Sequence, residues 1–235
     1  MKRAFLAAIL VLTFVLGVRA DDKPNNAIVP VPRDANWVKR HEGFVEIAKQ
    51  GGVDLLFIGD SITDFWRGSG KPAWDKNFAP LKAANFGISA DRTQHVLWRL
   101  QNGELDGIKP KLAVLMIGTN NLAGNSDEEI VAGIQAIIDE LHAKTPATRL
   151  LLLGIFPRGA KAEDPARARI QHINSILAKL DDGGKTIKYL DIGNKFLDAD
   201  GTLPKTVMPD GLHTNAAGYQ VWADAITPTV QQMMK

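Results

Sequence analysis

The chain has 235 residues, of which 45% are apolar, 23% are charged and none is cysteine. That length and balance suit one α/β core and exclude a disordered or fibrous protein, while the missing cysteines exclude disulfides, thiolate metal sites and thiol catalysis. Lys2, Arg3 and Arg19 lie in an acid-free first twenty residues, and the rest carries 25 basic against 26 acidic side chains, so charge makes no case for a nucleic-acid partner.

Met1-Lys2-Arg3, the apolar run Ala4–Val18 and the small residues flanking Arg19 predict a secretory signal over residues 1–20. The mature protein is then expected to be secreted or periplasmic. The apolar run is about 15 residues, short of the roughly 20 that span a bilayer, so no stable membrane insertion is expected. Pro24, Pro30 and Pro32 predict an extended arm over residues 21–35. A single domain is expected over 36–235, opening with a helix near Asn36 that Gly51-Gly52 stop.

Five apolar runs follow: Val53–Ile58, Ala83–Phe86, Leu112–Ile117, Arg149–Leu153 and Thr186–Leu190. Most are continuous rather than alternating, as in strands of a parallel sheet covered on both faces. Ser126 with Glu129 reads as a capping box before a helix bearing Ile130, Ile134, Ile137, Ile138 and Leu141. Pro165 suits the first turn of the next helix, whose stripe is Ile170, Ile173, Leu177 and Leu180. A last helix is expected from about Asn215 to Ile226, capped by Thr214 and discouraged from continuing by Pro228. The order predicts a doubly wound, three-layer α/β/α domain on a five-stranded parallel sheet, with ligands at the carboxyl ends of the strands.

The first strand delivers Gly59-Asp60-Ser61 there, either a nucleophile at the sheet edge or a turn and helix cap. The second delivers Gly87, whose N–H can approach a ligand closely or simply serve a turn. The third delivers Asn120 and Asn121, amides that point into a cleft or tie down loop backbone. Pro209-Asp210-Gly211-Leu212-His213 follows the fifth strand, placing a carboxylate and an imidazole three residues apart. Together they supply a nucleophile, a base, an acid to orient it and oxyanion donors from Ser61, Gly87 and Asn120, the set that acyl transfer requires.

The same residues resemble the SGNH hydrolases, also called the GDSL lipase/esterase family. The stretch from Asn85-Phe-Gly-Ile-Ser-Ala-Asp-Arg-Thr-Gln-His to Leu105 resembles in particular the catalytic subunits of the type Ib platelet-activating factor acetylhydrolases. The resemblance implies a flavodoxin-like SGNH hydrolase fold and matches Ser61, Asp210 and His213 to the catalytic triad. It matches Gly87 and Asn120 to the oxyanion donors beside the Ser61 N–H. It also implies a serine esterase without metal or organic cofactor, and a homodimer; the substrate does not carry over, because the secretory leader sets this chain apart from the cytosolic animal enzyme and points instead to a small-molecule or carbohydrate ester. Ser89-Ala90 departs from the two glycines usual in that subgroup, beside the oxyanion loop.

A short-chain O-acetylesterase is the expected activity, with lysophospholipase, thioesterase and broad carboxylesterase as alternatives. Trp66, Ser89, Asn121 and His95 are the further residues expected near the substrate pocket, although Trp66 equally suits the core and His95 suits packing or the surface better. Asp60 and Asp64 are expected to hold the nucleophile loop rather than to react.

Overall fold

The computed structural model describes residues 24–235; the expected signal over residues 1–20 lies outside them. The five apolar runs form strands β1 (Leu55–Gly59), β2 (Ala83–Gly87), β3 (Leu112–Met116), β4 (Arg149–Leu153) and β5 (Ile187–Leu190). All four pairings are parallel, in the order β2-β1-β3-β4-β5. Consecutive side chains point to opposite faces, so each strand feeds two cores. Leu56, Ile58, Leu115 and Leu152 pack under helices α1 (Ala35–Gln50), α4 (Thr93–Arg99), α5 (Asp127–Lys144) and α6 (Pro165–Leu177). Leu55, Phe57, Val114, Met116 and Leu151 pack on the other face, under α3 (Lys71–Asn77) and α7 (Ala216–Met233). The short α2 (Ser61–Asp64) sits at the carboxyl edge, directly after β1.

The helix starts follow local chemistry. Asp34 accepts from the Asn36 and Trp37 amides at the head of α1, and the Ser126–Glu129 capping box closes reciprocally at the head of α5. The last helix departs from the sequence expectation. Asn215 rather than Thr214 caps α7, its side chain accepting from the Gly218 N–H. Pro228 lies inside α7 instead of ending it. An interior proline costs about 3 kcal/mol, and burying Val230 and Met233 on the core offsets it at roughly 1.5–3 kcal/mol each.

The arm before α1 is also packed where it is described. Ala27 is fully buried in a turn over Asn26–Ile28, and its carbonyl accepts from Thr93 Oγ1. Arg33 reaches Ser89 O at 2.8 Å and Asp91 Oδ1 at 3.2 Å, tying the arm to the loop after β2. Among the described residues no helix is long and apolar enough to cross a membrane.

Candidate active site

Gly59 and Gly87 stand side by side in register at the ends of β1 and β2. A Cβ on Gly59 would lie 2.5 Å from Met116 O, and one on Gly87 would lie 2.4 Å from the Asp64 N. The paired glycines therefore let α2 settle onto the strand ends, and Gly87 is there for close approach rather than for a turn. Ser61 opens α2, where the helix itself offers its N–H no partner. The nucleophile candidate thus brings an amide donor with it.

Ser61 Oγ lies 2.9 Å from His213 Nε2, and His213 Nδ1 lies 2.6 Å from Asp210 Oδ2. Asp210 Oδ1 accepts from the Leu212 and His213 amides, so the turn locks the carboxylate beside the ring. Partial burial pulls the Asp210 carboxyl up, but the hydrogen bonds from the His213 ring and from the two amides outweigh it and hold it at about 2. An ionised Asp210 accepts a hydrogen bond from the His213 Nδ1–H and so leaves the Nε2 lone pair facing the Ser61 hydroxyl. Such a trio can activate a serine. It opens to solvent, with 28% of the His213 and 56% of the Asp210 side chain exposed.

The expected oxyanion donors are differently placed. Asn120, just after β3, gives one amide hydrogen to Asp91 O at 2.8 Å and keeps the second. The Gly87 N–H is not free as expected: it donates to Asn85 Oδ1 at 2.8 Å, because Asn85 turns back over the strand end while its Nδ2 donates to Thr63 O. Ser61 follows β1 and Asn120 follows β3, which places both at the point where the strand order reverses.

Carboxylates around the site hold loops, as expected. Asp60 caps α2 through the Ile62 N–H, and burial pushes its carboxyl up to about 7. Asp64 takes the Ser89 N–H and Oγ–H and pairs with Arg40 and Arg67, binding the loop after β2 to the nucleophile helix. Ser89 is thus an anchor for Asp64. Ala90 beside it has φ 64° in a turn closed by the Asp91 N–H on Ile88 O, a position that favours glycine.

Three expected pocket residues are engaged in packing or loop contacts. Trp66 is buried at 1% exposure among Phe57, Phe78, Tyr219 and Trp222, because α7 closes over it. Asn121 is fully buried and braces Thr93, Gln94 and Asn125. His95 spends Nδ1 accepting the Arg92 N–H; burial, with the charges of Arg33, Arg92 and Arg99, holds its ring down at about 4 and therefore neutral.

Two residues at the site carried no expectation. Phe65 is 37% exposed and packs its ring 5.2 Å from that of His213; its spacing of one helical turn from Ser61 was the available signal. Arg158 follows β4 and donates to Thr119 O, next to Asn120; the strand-end criterion applied to Ser61 would have found it.

Residues 57–221 match the GDSL-like Lipase/Acylhydrolase family. The chain belongs to this family. It is 35% identical over 216 residues to the platelet-activating factor acetylhydrolase IB subunit alpha2 of Rattus norvegicus, covering 90% of this chain and 93% of that one. It is 38% identical over 189 residues to the alpha1 subunit of Homo sapiens, covering 80% of each. An acetylxylan esterase of Geobacillus stearothermophilus, solved as a catalytic mutant, shares the fold with a TM-score of 0.60 at 20% identity, covering 78% of this chain and 94% of that one. This GDSL/SGNH-type chain is a serine esterase related to the platelet-activating factor acetylhydrolases.

Proposed function

We propose that this esterase is an O-acetylesterase that removes short acyl groups, above all acetyl, from carbohydrate or other small alcohol esters. The observation that carries the reading is the Ser61–His213–Asp210 chain of contacts at 2.9 and 2.6 Å. Its kinship with acetylhydrolases supports the acetyl preference. An open site with the exposed Phe65 ring at its rim supports a bulky alcohol group, because an aromatic face suits a sugar ring. With Met1–Ala20 read as an export signal, the enzyme meets this substrate outside the cytoplasm.

In the first half-reaction Ser61 Oγ attacks the acyl carbon as its proton passes to His213 Nε2, while Asp210 stabilises the imidazolium. The Ser61 N–H and the spare Asn120 amide hydrogen hold the oxyanion, and Gly87 joins them when its N–H is shared away from Asn85. One such donor is worth about 3–4 kcal/mol in the transition state. The bond from the acyl carbon to the alcohol oxygen breaks, and His213 returns the proton to that oxygen. His213 then deprotonates a water, which attacks the acyl-Ser61 ester and releases the acid and the serine.

The test is hydrolysis of p-nitrophenyl acetate, butyrate and octanoate by the mature protein and by Ser61→Ala. Acetate-selective turnover lost in Ser61→Ala is expected. Turnover rising with chain length would replace the acetylesterase with a lipase or thioesterase, and full activity in Ser61→Ala would remove the proposed nucleophile.

A further inference from the structure

The segment Pro157-Arg158-Gly159 after β4 touches both halves of the site. The Arg158 guanidinium donates through one nitrogen to Thr119 O at 3.2 Å and to Thr119 Oγ1 at 3.3 Å. Thr119 is buried and directly precedes Asn120. On the other side, the Gly159 N–H donates at 2.9 Å to Gly211 O, within the turn that joins Asp210 to His213. One dipeptide thus reaches the oxyanion loop through a side chain and the acid–base turn through its backbone.

The dipeptide is itself held from below. Arg167, on α6 and 7% exposed, donates Nε to Arg158 O at 2.8 Å and Nη2 to Gly159 O at 3.0 Å. These bonds hold both carbonyls, and the first orients the peptide plane that carries the Gly159 N–H and sets the backbone from which the Arg158 side chain starts. Gly159 has φ +80°, and any Cβ there would fall 2.1 Å from Asp164 Oδ2. The position therefore suits glycine alone. Ala160 O then accepts from the Leu203 N–H, which carries the brace on toward the Asp210 turn.

We propose that Arg158 is a positioning residue that sets the Asn120 amide against the Ser61–His213 pair, with Arg167 as its buried clamp. Arg158 touches no reacting atom in this arrangement. Its effect passes through Thr119 to Asn120, and the bonds on Gly159 set where the guanidinium begins. The inference rests on the esterase reading for its kinetic consequence, although the brace itself is a matter of hydrogen bonds.

The test is a double-mutant cycle between Arg158→Met and Asn120→Ala, read as kcat and KM on p-nitrophenyl acetate. Methionine keeps the apolar stem and removes the fork. Misplacing an oxyanion donor lowers kcat, so Arg158→Met is expected to lose about 10–100-fold in kcat with KM within about threefold. In the Asn120→Ala background the same change is expected to cost under about threefold, because the group it positions is gone. Arg158→Lys, which keeps the charge without the fork, is expected to recover part of the loss. Equal losses in both backgrounds would overturn the proposal and leave a plain stabilising contact.

Amide hydrogen exchange supplies a readout independent of turnover. Peptides covering residues 118–122 are expected to exchange about tenfold faster in Arg158→Met while the β1 and β3 peptides stay unchanged. Unchanged exchange over 118–122 would overturn the brace. A wild-type protein inert toward every ester would overturn the esterase reading instead, and the exchange result would still decide the brace.

Discussion

Asn85 Oδ1 accepts the Gly87 N–H at 2.8 Å, so a residue two positions upstream occupies the amide expected to face the oxyanion. The same Asn85 donates from Nδ2 to Thr63 O, one residue before Asp64 at the end of the nucleophile helix. A single buried amide therefore joins the β2 end to α2. Asn85→Ala is expected to destabilise the fold by about 1–3 kcal/mol in urea denaturation, because it removes a buried amide that bonds both Thr63 O and the Gly87 N–H. It also releases the Gly87 N–H, so at temperatures where it stays folded its kcat should exceed that of Asn120→Ala. A kcat as low as that of Asn120→Ala would remove Gly87 from the proposed oxyanion hole.

Asp210 is held at about 2, below its ordinary value. The sign follows from linkage: a depressed carboxyl adds stability above its unfolded value near 3.9, and that contribution is lost as pH falls from about 4 through 2. Above about pH 4 the carboxylate stays charged and sets no limb of the activity profile. Asp210→Asn keeps the shape but removes the charge that selects the His213 tautomer. It is expected to lower kcat by about 10⁴, the cost measured in another Ser-His-Asp triad, and to lower the melting temperature at neutral pH, where the charged carboxylate adds stability, but not below about pH 2. An activity near wild type would remove Asp210 from its role.

Asp60 behaves in the opposite sense. It is 1% exposed, and burial, with the nearby charge of Asp91, pushes it up to about 7 despite the Ile62 N–H and the charge of Arg158. The native state then binds a proton that the unfolded chain has released, so stability falls as pH rises from about 4 to about 7. Asp60→Asn preserves the acceptor for Ile62 and abolishes this penalty. It is expected to be more stable than wild type by about 1–4 kcal/mol at pH 8 and about equal at pH 4. A difference independent of pH would show that Asp60 does not titrate in this range.

Ala90 holds φ 64° in the turn between Ile88 and Asp91. Left-handed backbone costs an alanine about 1 kcal/mol or more relative to glycine, part of which glycine returns as entropy in the unfolded chain. Ala90→Gly is expected to raise stability by up to about 1 kcal/mol without raising KM. A loss of stability on thermal melting would show that the methyl group is packed in a way that its exposed position does not indicate.

Phe65 stands at the rim beside His213 and is 37% exposed. Phe65→Ala should leave the melting temperature nearly unchanged. If the ring receives the alcohol group, KM for an acetylated oligosaccharide should rise about tenfold while kcat/KM for p-nitrophenyl acetate changes less, since a stacked aromatic is worth about 0.5–1.5 kcal/mol. Equal effects on both substrates would place the ring against the acyl group instead.

Much of the architecture was legible in the sequence because its signals are local or periodic. The continuous runs Leu112–Met116 and Arg149–Leu153 announce buried strands, Ser126 with Glu129 announces a helix start, and each depends on neighbours in the chain. The strand ends marked Ser61 and Asn120 as candidates, and the Asp-x-x-His spacing marked Asp210 and His213; each was weak alone, and it was the full set, matched in order to a family pattern, that singled them out. What the sequence could not decide was which way each side chain turns. Trp66 and Asn121 follow strands as Ser61 and Asn120 do, yet Trp66 is drawn under α7 and Asn121 is spent on Thr93 and Asn125. Pro228 reads as a stop, yet the burial of Val230 and Met233 carries α7 past it. The pairing of Gly87 with Asn85 and the reach of Arg158 to Thr119 are likewise tertiary. In a crowded interior the hydrogen-bond partner of a polar group depends on which distant segment arrives beside it, and a single chain position carries no record of that distance.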